Sequence, residues 1–108
     1  MYKVKFSKIA TQDLNGAFSY ISGVLKNPIA AETLVLETEK KTNGIREFPY
    51  SCPLVSDPHL MKLEIRFLLV RNYVAFLRID ELKREISIVR FLYSMREWKE
   101  ILKEGEES

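Results

Sequence analysis

The sequence predicts an α+β domain. An N-terminal strand and a helical hairpin pack on a curved, mainly antiparallel four-stranded sheet, followed by a short C-terminal helix. Three observations carry that reading. Tyr2, Val4 and Phe6 alternate with Lys3 and Lys5, the two-residue period of a strand with one buried face. Two stretches between Ser7 and Arg46 repeat apolar residues at the helical period. Apolar runs then extend from Ile65 to Asp80 and from Arg84 to Tyr93, rich in β-branched and aromatic residues. This order places the helices on one face of the sheet and leaves the other partly open, with arginines near it.

Ser7 is a suitable N-cap for the first helix, whose apolar stripe is Ala10, Leu14, Ala17, Phe18, Ile21, Val24 and Leu25. Gly16 within it costs about 1 kcal/mol against Ala. Asn27-Pro28, a capping side chain followed by proline at the first helical position, starts a second helix. It runs to about Arg46 and buries Ala30, Ala31, Leu34, Val35, Thr38 and Ile45, with Gly44 near its fraying end. Pro49, Pro53 and Pro58 make the following stretch a connector without regular helix. Turns at Arg71-Asn72 and Asp80–Lys83 separate the last three strands. Ser94-Met95-Arg96-Glu97 fits a capping box, ahead of a helix with Trp98, Ile101 and Leu102 on one face. Residues 1–103 form one domain and 104–108 a polar tail.

Composition limits the function classes. At 108 residues and 46% apolar content the chain is a single folded domain. A net charge of +2 is far from the footprint of a strongly basic nucleic-acid binder. The charge is uneven, however: eight basic residues face four acidic ones between Lys62 and Arg96. Cys52, the one cysteine, offers neither an internal disulfide nor metal-ligand spacing. Glycine-rich phosphate loops, zinc spacings and a nucleophile elbow are all missing, so no metal or cofactor is expected. The chain reads as cytoplasmic, with no membrane partner.

Several motifs together resemble the RelE/ParE superfamily, the toxins of bacterial type II toxin–antitoxin systems. Phe6-Ser7 ends the first strand, and Asp13-Leu14 lies on the helix after it. Asn27-Pro28 with Ala30-Ala31, then Phe48-Pro49, bracket the second helix. Asp57-Pro58 precedes the strand bearing Arg66, and Asn72-Tyr73-Val74-Ala75-Phe76 follows it. The run from Val89 through Tyr93 and Arg96 to Trp98 completes a pattern covering nearly the whole chain. The resemblance implies a growth-inhibiting toxin of an addiction or plasmid-stabilisation module, neutralised by a cognate antitoxin.

It also implies two kinds of action. RelE-like members are metal-independent, ribosome-dependent endoribonucleases that cut messenger RNA. That chemistry must orient the ribose 2′-hydroxyl, stabilise the phosphorane and protonate the leaving oxygen. On that branch the catalytic candidates are Arg66, Arg90, Tyr93 and Arg96. Val74 stands where such nucleases carry an arginine, and Leu92 where some carry a histidine. ParE-like members are understood to poison DNA gyrase by binding it, and the Asn-Tyr…Phe strand and the Leu-Tyr-Ser-Met-Arg-Glu-Trp ending are similar to theirs. The reading favours ParE, keeps the nuclease as the alternative, and leaves third an inactive homologue that only binds or regulates a partner. The expected contact surface for antitoxin or target is Arg66, Arg71, Tyr73, Phe76, Leu77, Arg90 and Phe91. An acidic amphipathic segment would suit it, and a homodimer is compatible with it.

Bland readings stand beside these. Strand arginines usually form solvated or ion-paired faces, and Arg66 and Arg90 need a partner such as Glu64 or Glu85 if no ligand meets them. Trp98 reads as core, His59 as a surface turn residue and Cys52 as a small filler.

Overall fold

The computed structural model describes the backbone of residues 1–107 and the side chains of residues 1–104. β1 (Lys3–Phe6) ends at Ser7, whose three bonds set the start of the fold. Its N–H donates to the Ile88 carbonyl at 2.9 Å. Its Oγ accepts the Ala10 N–H at 3.0 Å, opening α1 (Lys8–Ser19), and donates to the Val89 carbonyl at 3.0 Å.

The first helix does not run on regularly to Leu25. It widens into a π-helical turn, Tyr20–Val24, in which the Leu25 N–H reaches the Tyr20 carbonyl at 3.0 Å. Lys26 then takes a left-handed φ of 52° and ends it. The buried stripe is Ala10 and Ala17, with Leu14 and Ile21 packed against the core. Phe18, Val24 and Leu25, assigned to the core by period alone, are exposed: the stripe is narrower than expected, and the wide turn shifts the last two positions off it.

Asn27 and Pro28 start α2 (Pro28–Gly44) as expected, with Asn27 Oδ1 accepting the Ala30 N–H at 3.1 Å. Ala31, Leu34, Thr38 and Thr42 are buried, and Ile45 just beyond. Both threonine hydroxyls donate back to the carbonyls four residues earlier, at 2.7 and 2.8 Å, which lets them sit in an apolar interior. Ala30 and Val35 are only half-buried. After a single 3-10 turn, Pro49–Ser51, the chain forms a helix the sequence reading omitted, α3 (Pro58–Lys62). Asp57 Oδ2 accepts the Leu60 N–H at 3.2 Å, so Asp57-Pro58 repeats the start signal of Asn27-Pro28.

β2 (Arg66–Val70), β3 (Tyr73–Asp80) and β4 (Glu85–Tyr93) complete a sheet of order β1-β4-β3-β2. β1 runs parallel to β4 and the other pairs are antiparallel. Arg71 and Arg84 adopt left-handed φ of 54° in the two turns. Phe76 faces Arg90 and Leu77 faces Ile88, leaving Val89 as a bulge on β4.

The second face of the sheet is covered only in part, since Arg78 and Leu69 on it are exposed, in line with the expectation of a partly open face. α1 and α2 cover Ala75, Leu77, Ile86, Ile88 and Phe91. On the other side Val74, Phe76 and Leu92 pack with Val55, Leu60, Ile65 and Leu102, the last from α4 (Trp98–Glu107). Trp98 lies 5.2 Å from the Phe76 ring. α4 starts at Trp98 rather than at Ser94, with the Ile101 N–H on the Glu97 carbonyl at 3.3 Å. It continues past Lys103, whose Nζ lies 3.4 Å from Asp57 Oδ1 and fastens the turn to α3. The helical backbone thus takes up 104–107 of the polar tail, and Ser108 lies outside the described residues.

β4 has nine residues and β1 only four, so the outer edge of β4 continues beyond its neighbour. α1 supplies the missing partners. Asp13 Oδ2 accepts the Phe91 N–H at 3.0 Å, and the Arg90 guanidinium clamps Asp13 with bonds of 2.8 and 3.0 Å. Both side chains are largely withdrawn from water, at 23% and 14% exposure. Asp13→Ala strands a half-buried guanidinium and a strand N–H together, and should cost about 2–4 kcal/mol. Urea midpoints measure it; Lys5→Ala, which breaks the exposed 3.4 Å pair with Glu85, should stay within about 0.5 kcal/mol. Equal losses in the two variants would contradict the clamp.

At the β3–β4 turn, Glu81 gathers the Tyr50 hydroxyl at 2.7 Å, the Tyr2 hydroxyl at 2.8 Å and Arg84 Nη1 at 3.2 Å. Bonds from Tyr50 and then Tyr2 hold its carboxyl below the ordinary 4.5. A depressed carboxyl stabilises the fold fully above its unfolded value, and that contribution disappears as pH falls through the native value. Thermal midpoints of the native protein should therefore fall more steeply, as pH drops through and below about 4.5, than those of Glu81→Gln. Parallel slopes would remove Glu81 from the account.

Candidate functional site

The clamp fixes α1 against the end of β4, and an open cleft of about 710 Å³ remains beside it. Gln12, Gly16 and Ala17 of α1 and Tyr20 of the π-helical turn line one wall. Asn72, Tyr73, Tyr93 and Arg96 line the other, from the β2–β3 turn and the end of β4. Inside it Tyr73 stacks on Phe91 at 5.2 Å and meets Tyr93 edge-on at 5.6 Å. Burial, then the neighbouring Tyr93 and Tyr20, push the Tyr73 hydroxyl above its usual range.

Charge at the cleft is one-sided. Its carboxylate, Asp13, is spent on Arg90, whereas among the described residues neither Arg96 nor Arg71 at the adjoining turn has an ion-pair partner. Tyr20 is 52% exposed and Tyr93 43%. Aromatic surface with amide groups at Gln12 and Asn72 and a cationic rim suits a partner bearing apolar and acidic groups.

The predicted site residues divide sharply. Tyr73, Tyr93 and Arg96 line this cleft, and Arg71 is exposed at the turn beside Asn72. Phe91, 2% exposed, lines the cleft beneath Tyr73, whereas Phe76 and Leu77 are core, at 1% and 0% exposure, and stand behind the surface. The reason is the second core, which buries β3 on both faces from Val74 to Leu77. Arg90 is held by Asp13. Arg66 donates to the Cys52 carbonyl at 2.7 Å and lies over the Tyr50 ring at 5.0 Å, bracing the connector. The partners considered for these arginines, Glu64 and Glu85, are not the ones used. Of the four catalytic candidates only Tyr93 and Arg96 share a cavity.

Burial raises the Cys52 thiol above its ordinary value, which suits its reading as a filler. No group of three or more metal-binding side chains gathers among the described residues. No helix among them is long and apolar enough to cross a membrane. Sequence reasoning missed Gln12, Gly16, Tyr20 and Asn72 as lining residues. Tyr20 falls off the apolar stripe, and only the π-helical turn aims it into the cleft.

Fold and cleft together define a small α+β domain with an aromatic, cation-rimmed recess at one end of its sheet. Residues 4–98 match the family described as the ParE toxin of type II toxin-antitoxin system, parDE. Among solved structures, a chain of the chromosomal ParDE TA system from P. aeruginosa superposes with a TM-score of 0.67 at 20% identity, covering 86% of this chain and 96% of that one. At that identity the likeness is one of fold. No curated protein sequence matches the chain. The chain belongs to the ParE toxin family of type II toxin–antitoxin systems, and its partner is a cognate antitoxin.

A Cβ at Gly16 would meet nothing within 4 Å, so the cleft wall there is open. Gly16→Ala should stabilise the protein by about 0.5–1 kcal/mol through helix propensity. A denaturant midpoint that falls instead would mean that the cleft wall is closed at Gly16.

Proposed function

We propose that this toxin inhibits growth in the cytoplasm by binding DNA gyrase through the tyrosine-lined cleft, without chemistry of its own. The observation that carries the reading is the disposition of the arginines. RNA cleavage needs cationic groups, an orienting group and a proton donor around one phosphate. Here Arg90 is bidentate on Asp13 and Arg66 is engaged at the connector, so Tyr93 and Arg96 stand without them. Val74 and Leu92, where nuclease relatives carry reactive side chains, are buried at 6% and 2%. An aromatic recess with arginine at the rim instead has the composition of a protein-binding hot spot.

The test is pulse-labelling of cells within minutes of induction, following thymidine and methionine incorporation side by side. Thymidine uptake should fall first. Tyr93→Ala combined with Arg96→Glu should weaken target binding by roughly 30-fold or more, the scale of a lost hot-spot residue, and restore growth. An early loss of methionine incorporation with replication intact would place the target on the ribosome and return Tyr93 and Arg96 to a catalytic role.

A further inference from the structure

The helical wall of the tyrosine cleft has a notch at its middle. Gln12, Gly16 and Tyr20, four residues apart, form one row of the first helix and span about 12 Å of it. Along that row the side chains run long, absent, long. A Cβ at Gly16 would meet nothing within 4 Å, so among the described residues no side chain fills the gap between Gln12 and Tyr20. Ala17, 8% exposed, lies beside it, and Leu25, 55% exposed, gives the same wall an apolar lip.

The groups around the notch are donors. Arg96 lines the cleft without an ion-pair partner among the described residues, and Gln12 and Asn72 add amides. Tyr2 and Tyr50 give their hydroxyls to Glu81, at 2.8 and 2.7 Å, but those of Tyr20, Tyr73 and Tyr93 have no such partner among the described residues. The cleft's own acid, Asp13, already accepts two bonds from Arg90 and one from the Phe91 N–H. A carboxylate supplied from outside complements this set. A nucleic-acid strand suits it less well. Arg96 and Arg71 are a small positive footprint for a phosphate backbone, and Tyr73 has already stacked one ring face on Phe91 at 5.2 Å.

We propose that Gly16 sets the specificity of the cleft: its notch admits an apolar side chain of a target segment whose neighbouring carboxylate meets Arg96. This rests on the cleft being the target-binding site, and it names the chemistry of what enters. A side chain added at Gly16 favours the helix but occupies the space the target needs. Stability and target binding therefore move in opposite directions there, which a merely structural glycine would not produce.

The test uses the full chain, with purified DNA gyrase as the probe. Gly16→Ala should raise the thermal midpoint yet weaken gyrase binding by roughly threefold, and Gly16→Leu should weaken it by about tenfold or more without lowering the midpoint. Gly16→Cys adds an exposed thiol to a chain whose own Cys52 is 3% exposed, and bound gyrase should slow its labelling by a maleimide. Native-like binding by Gly16→Leu, or labelling at the same rate in the complex, would overturn the notch and leave the gyrase reading standing. If the native chain does not bind gyrase, that reading fails and growth decides the notch. Loss of growth arrest in a folded Gly16→Leu then supports the notch for another target, and full arrest overturns it. A single-stranded oligonucleotide that slows the labelling as gyrase does would overturn the carboxylate assignment.

Discussion

The contact between α1 and the unpaired end of β4 is the constraint on which the rest of this molecule depends. A nine-residue strand lies beside a four-residue one, so part of its edge must be satisfied by something other than a strand. Ser7 and Asp13, six residues apart on the first helix and its cap, take the Val89 carbonyl and the Phe91 N–H. Arg90 then balances the charge that Asp13 brings into a half-buried place. This fixes the axis of α1 on the sheet, and with it the direction in which the π-helical turn presents Tyr20. The open cleft exists because the helix is held at β4 and released where the turn widens.

Local signals in the sequence identified most of the frame. The alternation of residues 2–6, the Ser7 and Asn27 caps, the helical period around Leu34 and Thr38, and the turns at Arg71 and Asp80 each act within a few residues. What was hidden depends on partners distant in sequence. That Arg90 belongs to Asp13 is a pairing across 77 positions, and nothing near either residue announces it. That Phe76 and Leu77 are both buried requires knowing that α3 and α4 cover part of the second face. The Asp57-Pro58 start of α3 was a local signal of the same form as Asn27-Pro28, overlooked because the neighbouring prolines dominated the connector. Tyr20 could not be found by periodicity, since the wide turn breaks the period that would locate it.

The same arginines that drew attention in the sequence illustrate how charge is used in a small fold. Arg66 and Arg90 are bracing residues: one holds a connector by its backbone carbonyl, the other neutralises a carboxylate that caps a strand. Arg71 and Arg96, with Lys3 on β1 and Lys40 on α2, have no ion-pair partner among the described residues. Two separate cationic surfaces result, one aromatic at the cleft and one beside β1.

The parallel pairing of β1 with β4 joins the first strand of the sheet, in chain order, to the last. Lys3 faces Glu85 across more than eighty positions, and Asp13 likewise waits for Arg90. While the ribosome is still producing the chain, α1 has no edge to cap, the cleft has only one wall, and β1 has no inward ladder. High contact order of this kind delays folding until the final third of the polypeptide is free. The capped edge of β4, the second wall of the cleft and the inward ladder of β1 therefore form together, once β4 is available to pair.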